Sequence, residues 1–411
     1  MLLNRLWIGL FFVAMVMGLF KLLVFGDQLI FKEIVDSLFT SAKSAFEMAL
    51  YLTGALCLWM GIMQIGERGG AVQLLTKAFA PLFRHIFPEV PKDHPSQGSM
   101  MMNFSANMLG LDNAATPLGL KAMNQLQELN PKKDTASNAQ IMFLVLNTSG
   151  LTIIPVSILA YRSVAGSASP TEVFLPILFA TYIASMVGLI AVSIKQKINL
   201  FHPTVLIYLG SVTSFMVGLL TWLTYFPEYI ETVSTIGGNL LLFSVIILFI
   251  ALGIRKKVNV YESFIEGAKG GFDVAIKIVP YLIAILVAVA VFRASGAMEL
   301  LFEGVKYAFH SVGIMTTEFV DALPTAFMKP FSGSAARGLM LETFETHGVD
   351  SFVGKLSATF QGSTETTFYV LAIYFGSVGV TKTRYAAGAG LLADFAGILA
   401  AIFIAYLFYQ S

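Results

Sequence analysis

The stretch QGSTETT, residues 361–367, interrupts an otherwise apolar part of the chain. It contains no apolar side chain and carries a carboxylate at Glu365, yet SFVGKLSATF precedes it and FYVLAIYFGSVG follows it. A polar run inside a hydrophobic segment is costly wherever that segment lies in lipid. This stretch is therefore the first place to look for a functional site, provided that the chain is a membrane protein.

The composition indicates an integral membrane protein. Hydrophobic residues make up 56% of the 411 and charged residues 12%, and mean hydropathy is +0.76, whereas soluble domains contain about 25% charged residues. A net charge of +1 excludes the basic surface that nucleic acid requires. Cys57 is the only cysteine, and the five histidines form no HExxH-type pair, so we expect no disulfide, metal or cofactor.

Two kinds of apolar window are present. Windows of about 20 residues lie at 6–25, 45–66, 139–162, 172–194, 204–226, 236–254, 272–293, 353–378 and 384–408. Two further windows, 98–123 and 319–344, are broken by polar residues and proline. Irregular backbone at membrane depth is tolerated only inside protein or beside water, so these windows predict broken or re-entrant helices. We interpret residues 1–25 as a retained membrane helix rather than a signal peptide.

The sequence contains an internal repeat. IVDSLFTSAKSAFEMA (34–49) aligns with VYESFIEGAKGGFDVA (260–275), and LNTSGLT (146–152) later falls opposite FQGSTET (360–366). The polar break thus occurs in both copies. Two plain membrane helices, 204–226 and 236–254, lie between them, and an even number of intervening crossings predicts parallel copies if each copy also crosses an even number of times.

Charge predicts the orientation. Lys132 and Lys133, KQK at 195–197 and RKK at 255–257 lie at one set of helix ends, whereas the 226–235 loop has no Lys or Arg. By the positive-inside rule we expect a multi-pass protein of the bacterial cytoplasmic membrane with these lysines and the C-terminus inside. Arg5 would then lie outside, against the rule.

Four long segments resemble a known family. NFSANMLGLDNAATPLGLKAMNQLQELN (103–130) and FLVLNTSGLTIIPVSILAYR (143–162) resemble spore maturation protein A. LPTAFMKPFSGSAARGLMLETFETHGVDSF (323–352) and KLSATFQGSTETTFYVLAIYFGSVGVTKTRYA (355–386) resemble spore maturation protein B. The chain therefore looks like a fusion of the two.

The resemblance implies a division of the chain. The chain then comprises an N-terminal transmembrane helix (1–29), a gate repeat similar to spore maturation protein A (30–195), two linking helices (196–258) and a gate repeat similar to spore maturation protein B (259–411). The fold class is then an all-α polytopic membrane protein of two parallel gate-type repeats with broken or re-entrant helices. The family's nucleoside recognition or gate domain implies a transporter-like fold and a role in spore maturation, but no substrate. Asp112 stands where the family signature leads us to expect glycine.

The polar breaks supply the candidate site residues, because secondary transporters bind solutes at discontinuous helices near the membrane midplane. Pro117 must kink or break a helix through LDNAATP. The candidate solute-binding residues are Asn107, Asn113, Thr116, Asn147, Thr148, Ser149, Ser332, Ser334, Arg337, Gln361, Ser363, Thr364, Glu365 and Thr366. For Asn147, Thr148 and Ser149 the alternative is simple interhelical hydrogen bonding.

Arg337 allows two interpretations, since a buried arginine needs an anionic partner. Either it forms a structural ion pair with Glu365, or it attracts an anionic solute while Glu365 or Asp394 carries a proton. Asp112, Glu365 and Asp394 are the candidates for coupling to H⁺ or Na⁺.

These observations predict a non-enzymatic secondary transporter of a small polar or anionic solute, nucleoside-like or a carboxylate. Membrane lipid and a second copy of the chain are the further expected partners. The alternative is a non-transporting membrane scaffold for spore or envelope maturation. An intramembrane hydrolase using Ser334 with His310 or His347 is disfavoured, because the sequence has no nucleophile elbow.

Overall fold

A computed structural model describes residues 2–409 apart from 111, 312 and 314; the side chains of residues 2–4, 6, 112–114 and 278 also lie outside the described set. Within this part of the chain the regular elements are helices, and the single isolated β-bridge joins Thr135 to Lys382. The all-α class predicted from the sequence is confirmed.

The helices of the first half are α1 (Leu2–Phe25), α2 (Ile30–Gly69), α3 (Ala71–Ile86), α4 (Pro95–Met108), α5 (Asp112–Leu129), α6 (Asn138–Thr148), α7 (Val156–Val164) and α8 (Phe174–Gln196). Then α9 (Pro203–Val205) continues through a π-helical turn (Leu206–Gly210) into α10 (Ser211–Tyr225), which is followed by α11 (Ile230–Arg255). The second half comprises α12 (Val260–Ala294), α13 (Ala297–Ser311), α14 (Leu323–Met328), α15 (Gly333–His347), α16 (Phe352–Ser363), α17 (Thr367–Ser377) and α18 (Ala386–Tyr409).

Within the described residues, seven continuous stretches are long and apolar enough to cross a membrane. They are Trp7–Phe25, Ile30–Gly69, Pro170–Gln196, Pro203–Tyr225, Pro227–Arg255, Val260–Ala294 and Ala386–Tyr409. The two remaining windows, 139–162 and 353–378, are each split into two short helices, α6 with α7 and α16 with α17. Both splits fall at the polar motif, so the chain is a polytopic membrane protein with broken helices.

The two long helices that begin the copies pack against each other more extensively than any other pair. A Cβ at Gly267 would overlap the carbonyl of Met60, and one at Gly271 would lie 2.7 Å from the backbone of Cys57. The residue numbers on α12 rise as those on α2 fall, so these matched helices are antiparallel. Glycine at these contacts lets the two backbones approach closely.

The helices that end the copies, α8 and α18, are also antiparallel. The Cβ position of Gly188 lies 3.3 Å from the Cβ of Ala393, and the Phe179 and Phe408 rings are 6.0 Å apart. The prediction of parallel copies is therefore wrong for both helix pairs. The copies are inverted repeats, related by a pseudo-two-fold axis in the membrane plane.

Hairpins explain the inversion. The α4–α5 segment turns back to the end at which it entered, since His94 before α4 lies 4.0 Å from Glu128 at the end of α5. The chain then crosses once along α6 and α7 and once along α8. Each copy thus crosses three times, an odd number, because its hairpin returns instead of crossing.

The hairpins also change the expected position of the C-terminus. Tyr409, the last described residue, lies under the amine of Lys355, 5.0 Å from it, and Lys355 pairs with Glu172. The backbone carbonyl of Glu172 accepts a hydrogen bond from Ser234, close to the 226–235 loop. The C-terminal helix therefore ends with that loop, at the end of the molecule opposite the lysine-rich helix ends, and the expectation that it lies with the lysines is corrected.

The direction of helix α1 makes the position of Arg5 consistent with the positive-inside rule. Trp7 donates a hydrogen bond to the carbonyl of Ala284, and the amine of Lys21 lies beside Gly296. Helix α1 thus runs parallel to α12, so Arg5 lies toward the same end as the start of α12, where the lysines are.

Candidate functional site

The polar breaks of the two copies meet inside the molecule. The backbone N–H of Glu365 donates to the carbonyl of Thr148 over 2.8 Å, and the Cβ position of Gly150 lies 2.9 Å from Cγ of Glu365. Helices α6 and α16 enter from opposite ends of the molecule, and both end at this point. The inverted repeat therefore places both broken helices at one centre.

Each break is also fixed to the hairpin of its own copy. The N–H of Ile153 donates to the carbonyl of Met108 over 3.0 Å, at the end of α4. In the second copy, the N–H of Phe368 donates to the carbonyl of Pro330 over 2.9 Å, between α14 and α15. The two broken apolar windows, 98–123 and 319–344, thus meet the two split helices at this centre.

A cavity of about 370 Å³ lies between the α2–α12 pair and these breaks. The second copy contributes Lys329, Arg337, Gln361, Thr364, Glu365 and Thr366 to its polar lining, and the first copy contributes Gln64, Thr152, Ser157 and Tyr161. Two exposed carboxylates, Glu67 and Glu266, also line it near the end of α2. Arg68 pairs with Glu266 there, so this rim is at the lysine-rich end of the molecule.

Three helix N-termini border the cavity. Gly333 begins α15, Val156 begins α7, and Thr366 precedes α17. The residues before α7 and α17 make no side-chain capping bond, so their first N–H groups lack that partner. Helix N-termini carry a partial positive charge, and Lys329 and Arg337 add two formal charges. These positive groups face the carboxylate of Glu365, which lines the same cavity.

Two polar atoms beside the cavity have no hydrogen-bond partner in the structure, Nε of Arg337 and Oε1 of Gln361. Gln361 is only 5% exposed, and its Nε2 donates to the Gly333 carbonyl over 3.3 Å. Buried polar atoms are rarely left unpaired. A bound solute with its own donor and acceptor groups would satisfy both atoms.

Arg337 does not form the predicted ion pair with Glu365. Among the ion pairs of the described residues none involves Arg337; its guanidinium lies over the Tyr161 ring, 5.2 Å from the centroid. The structure thus leaves the charge of Arg337 available to the cavity.

Asn147 lies outside the cavity, in a buried network that joins the first copy to Tyr374 of the second. Its Oδ1 accepts from Asn107 over 2.8 Å and from the Tyr374 hydroxyl over 3.5 Å, and its Nδ2 donates to the carbonyl of Phe143. Asn103 donates to the Tyr374 hydroxyl over 3.3 Å. For Asn147 the structure thus shows the interhelical hydrogen bonding that was the alternative interpretation, with Asn107 as its donor.

The remaining predicted residues of the first copy take several positions. Thr116 is half-buried on α5 and does not line the cavity. Thr148 and Ser149 are buried, and each hydroxyl donates to a carbonyl of its own helix. The side chains of Asp112 and Asn113 lie outside the described residues.

In the second copy, Ser332 caps α15 by accepting from the N–H of Ala335 over 3.2 Å, and its hydroxyl lies 3.3 Å from that of Ser334. Neither serine lines the cavity. Ser363 is buried and donates to the Phe360 carbonyl. Asp394 is buried behind the breaks and also lies outside the cavity lining.

Sequence reasoning missed Lys329, Tyr161 and the Asn103–Tyr374 contact. Lys329 is 6% exposed and lines the cavity. A usable signal was present, because Lys329 is a cation within the broken apolar window at FMKPF. Tyr161 and Tyr374 gave no signal, since aromatic residues in membrane helices usually pack against neighbours.

Two loop contacts join the copies at opposite ends of the molecule. At one end Arg162, which is fully buried, donates to Asp350 over 2.8 Å and to the Val349 carbonyl over 2.8 Å. At the other end Asp134 pairs with Lys382 over 2.7 Å, and both are exposed. The first contact therefore contains a buried charge, that of Arg162, whereas both charges of the second contact are exposed to water.

The carboxylate of Asp350 lies in the loop before α16. Burial alone would raise its pKa, but hydrogen bonds from Ser167 and the Ala168 N–H, together with the charge of Arg162, lower the pKa overall. The ionised form is therefore the one that the fold stabilises.

Comparisons with known proteins give one family. The model of the Gate family, described as nucleoside recognition, matches residues 49–168 and 275–381, together more than half of the chain and one segment in each copy. Spore maturation protein B of Bacillus subtilis (strain 168) is 45% identical over 159 residues, which cover 39% of this chain and 87% of that protein. Spore maturation protein A of the same organism is 34% identical over 187 residues, which cover 46% of this chain and 92% of that protein. No solved structure matches the chain.

Proposed function

The chain belongs to the Gate (nucleoside recognition) family, and from this premise we propose that it is a secondary transporter of a small anionic solute rather than an enzyme. The observation that carries the proposal is the cavity at the meeting point of the broken helices. Three helix N-termini, Lys329 and Arg337 give it positive charge, and discontinuous helices of inverted repeats form solute sites in other secondary transporters.

The lining suggests the class of solute. Arg337 presents a planar fork of donors suited to a carboxylate or phosphate. Gln361 and Glu365 offer acceptors to hydroxyl or amino groups. A cavity of about 370 Å³ is at the lower end of the usual range for small-molecule sites. A nucleoside-like compound with an anionic group and a hydroxylated carboxylate both meet these requirements.

The inverted repeats suggest how the solute would move. Glu67 and Glu266 lie at the rim of the cavity, at the end where Lys256 approaches Gly70. The positive-inside rule assigns this end to the cytoplasm of a bacterium. At the opposite end, the fully buried Arg162 donates to Asp350 and to the Val349 carbonyl, and this contact would close the path of the solute. We infer an inward-open state, which would become outward-open when one repeat rocks against the other.

The test is thermal stabilisation of the purified protein in detergent by nucleosides, nucleotides, dicarboxylates and amino acids. We expect a hit among the anionic compounds that is lost in Arg337→Ala and partly kept in Arg337→Lys. The matched control is Arg384→Ala, because Arg384 also lies 5.2 Å over a tyrosine ring, that of Tyr385, but outside the cavity.

Uptake into proteoliposomes then separates binding from transport. A solute that stabilises the wild type should accumulate or exchange in wild-type vesicles and not in Arg337→Ala vesicles. Binding without any flux would contradict the proposal, and so would stabilisation that survives Arg337→Ala.

One observation favours a second function. Both named relatives are called spore maturation proteins, and neither name refers to a solute. A membrane assembly that supports spore maturation by binding other proteins would fit those names. Normal spore maturation in a producing strain that carries a folded Arg337→Ala variant would favour this assembly role over transport.

A further inference from the structure

Behind the cavity, Asp394 is a buried carboxylate with one free oxygen. It lies on α18 and is 2% exposed. Its Oδ2 accepts a hydrogen bond from the Thr367 hydroxyl over 2.7 Å, whereas its Oδ1 has no hydrogen-bond partner in the structure. An ionised carboxylate held this way is costly unless another group compensates its charge.

Hydroxyl groups from both breaks surround the same face of α18. The Cβ position of Gly390, one turn before Asp394, lies 3.3 Å from Oγ1 of Thr148. The Cβ position of Gly397, just under one turn after it, lies 3.7 Å from Oγ of Ser363 and 3.0 Å from the methyl group of Thr364. The two glycines allow the broken helices to approach the carboxylate closely.

These hydroxyls have already used their protons. Thr148 donates to the Val145 carbonyl over 3.1 Å, Ser363 donates to the Phe360 carbonyl over 2.9 Å, and Thr367 donates to Asp394. A hydroxyl has one proton and two lone pairs, so these side chains can offer only lone pairs to a guest. The C-terminal ends of α6 and α16, with their partial negative charge, meet at the same place.

The environment of the free Oδ1 therefore suits a bare cation. The charged groups with an electrostatic effect on Asp394 are Lys329 and Glu365, and their charges have opposite signs. Within the described residues there is no group of three or more His, Cys, Asp or Glu that could hold a metal ion, which disfavours a transition metal here. One carboxylate with neutral oxygens is a donor set typical of a weakly held monovalent ion.

We propose that Asp394, with the hydroxyls of Thr148 and Ser363, binds a sodium ion between the two broken helices and the last membrane helix. The binding itself does not depend on the proposed function. The role of sodium as the coupling ion does rest on that function. Thr364 would connect the two sites, because it lines the solute cavity with Glu365 and also contacts α18 at Gly397.

The experiment compares the melting temperature of the purified protein in sodium, potassium and choline chloride at equal ionic strength and without solute. We expect sodium to raise the melting temperature by about 3 °C or more over choline, and potassium to raise it less. Asp394→Asn should abolish the sodium effect and Thr148→Val should weaken it. Asp134→Asn, which removes an exposed carboxylate far from the site, should leave it unchanged.

Several outcomes would overturn the proposal. They are equal melting temperatures in all three salts, a sodium effect retained in Asp394→Asn, and stabilisation by low pH that replaces stabilisation by sodium, which would indicate a proton site. If Asp394→Asn does not fold, Gly390→Ala carries the test, because its new methyl group would press on Thr148 and Thr367 and should reduce the sodium effect. Solute stabilisation measured in choline reports on the cavity separately, so each proposal can fail alone.

Discussion

The two copies share one architecture but differ at the centre of the molecule. In the second copy, Lys329, Arg337 and Gln361 border an open cavity, and two of their polar atoms lack partners. Behind the break of the first copy, Asn103, Asn107 and Asn147 form a buried network with Tyr374 of the second copy, in which Oδ1 of Asn103 has no partner among the described residues.

The two halves of an inverted repeat therefore need not carry the same polar side chains. The symmetric parts are those that build the centre: two broken helices, two hairpins and two antiparallel helix pairs. The asymmetric parts are the polar side chains around the centre, since Lys329 and Arg337 both come from the second copy. Glu365 from the second copy contacts Gly150 of the first, so the two halves remain coupled at the point where they differ.

The largest expected effect comes from breaking the α2–α12 pair on which both copies depend. Gly267→Val would place a branched side chain against the Met60 backbone, and we expect a loss of about 3 kcal/mol or more, so that little folded protein is recovered. Gly237→Val is the control, because nothing lies within 4 Å of the Cβ position of Gly237. Gel filtration in detergent measures both. A monodisperse Gly267→Val protein would show that this close approach is not required.

The next effect compares the two loop contacts that join the copies. Asp350→Asn leaves the buried Arg162 without its carboxylate and should cost about 3 kcal/mol. Asp134→Asn breaks an exposed pair with Lys382, which water screens, and should have no measurable effect. Urea unfolding in detergent gives both values. Equal effects would contradict the view that one end is sealed and the other open.

The same carboxylate predicts a pH dependence. Because folding lowers the pKa of Asp350, its contribution is fully present above the unfolded pKa, about 3.9, and is lost as the pH falls through the folded pKa. The stability difference between wild type and Asp350→Asn should therefore be constant from about pH 5 to 8 and shrink below about pH 4. A difference that grows on acidification would contradict the sign of the shift.

The smallest expected effects distinguish the buried network around Asn147 from the cavity beside Gln361. Asn147→Leu leaves Asn107 and Tyr374 without their acceptor, so it should lower stability by about 1–3 kcal/mol and leave solute affinity nearly unchanged. Gln361→Leu loses a single 3.3 Å bond, so it should change stability little but weaken solute binding about tenfold. Thermal unfolding with and without the solute measures both quantities. The reverse pattern would exchange the roles assigned to the two copies.

The sequence was sufficient for the architecture near the polar motifs. Composition showed a membrane protein, and the alignment of NTS (147–149) with QGS (361–363) placed the two breaks that meet at Thr148 and Glu365. Both follow from local patterns, because polar residues within an apolar segment are costly in lipid and therefore stand out.

The direction of the copies and the partners of the polar residues were not available from the sequence. Direction depends on whether each broken window crosses or returns, and Pro117 predicts a kink without fixing the side on which the chain leaves. Asn147 and Gln361 occupy matched positions, yet one is satisfied by Asn107 and the other faces a cavity. Only the tertiary packing of the hairpins distinguishes them.

The inverted repeat is tested most directly by the sidedness of two matched loops. Lys92 and Met315 are exposed; Lys92 lies between α3 and α4, and Met315 lies at the matched place between α13 and α14. Single cysteines at these positions, in a Cys57→Ser background, would be labelled with a membrane-impermeant maleimide in intact and in permeabilised cells. The inverted arrangement predicts that Met315→Cys reacts in intact cells, whereas Lys92→Cys reacts only after permeabilisation. Labelling of both from the same side would contradict it and restore the parallel arrangement.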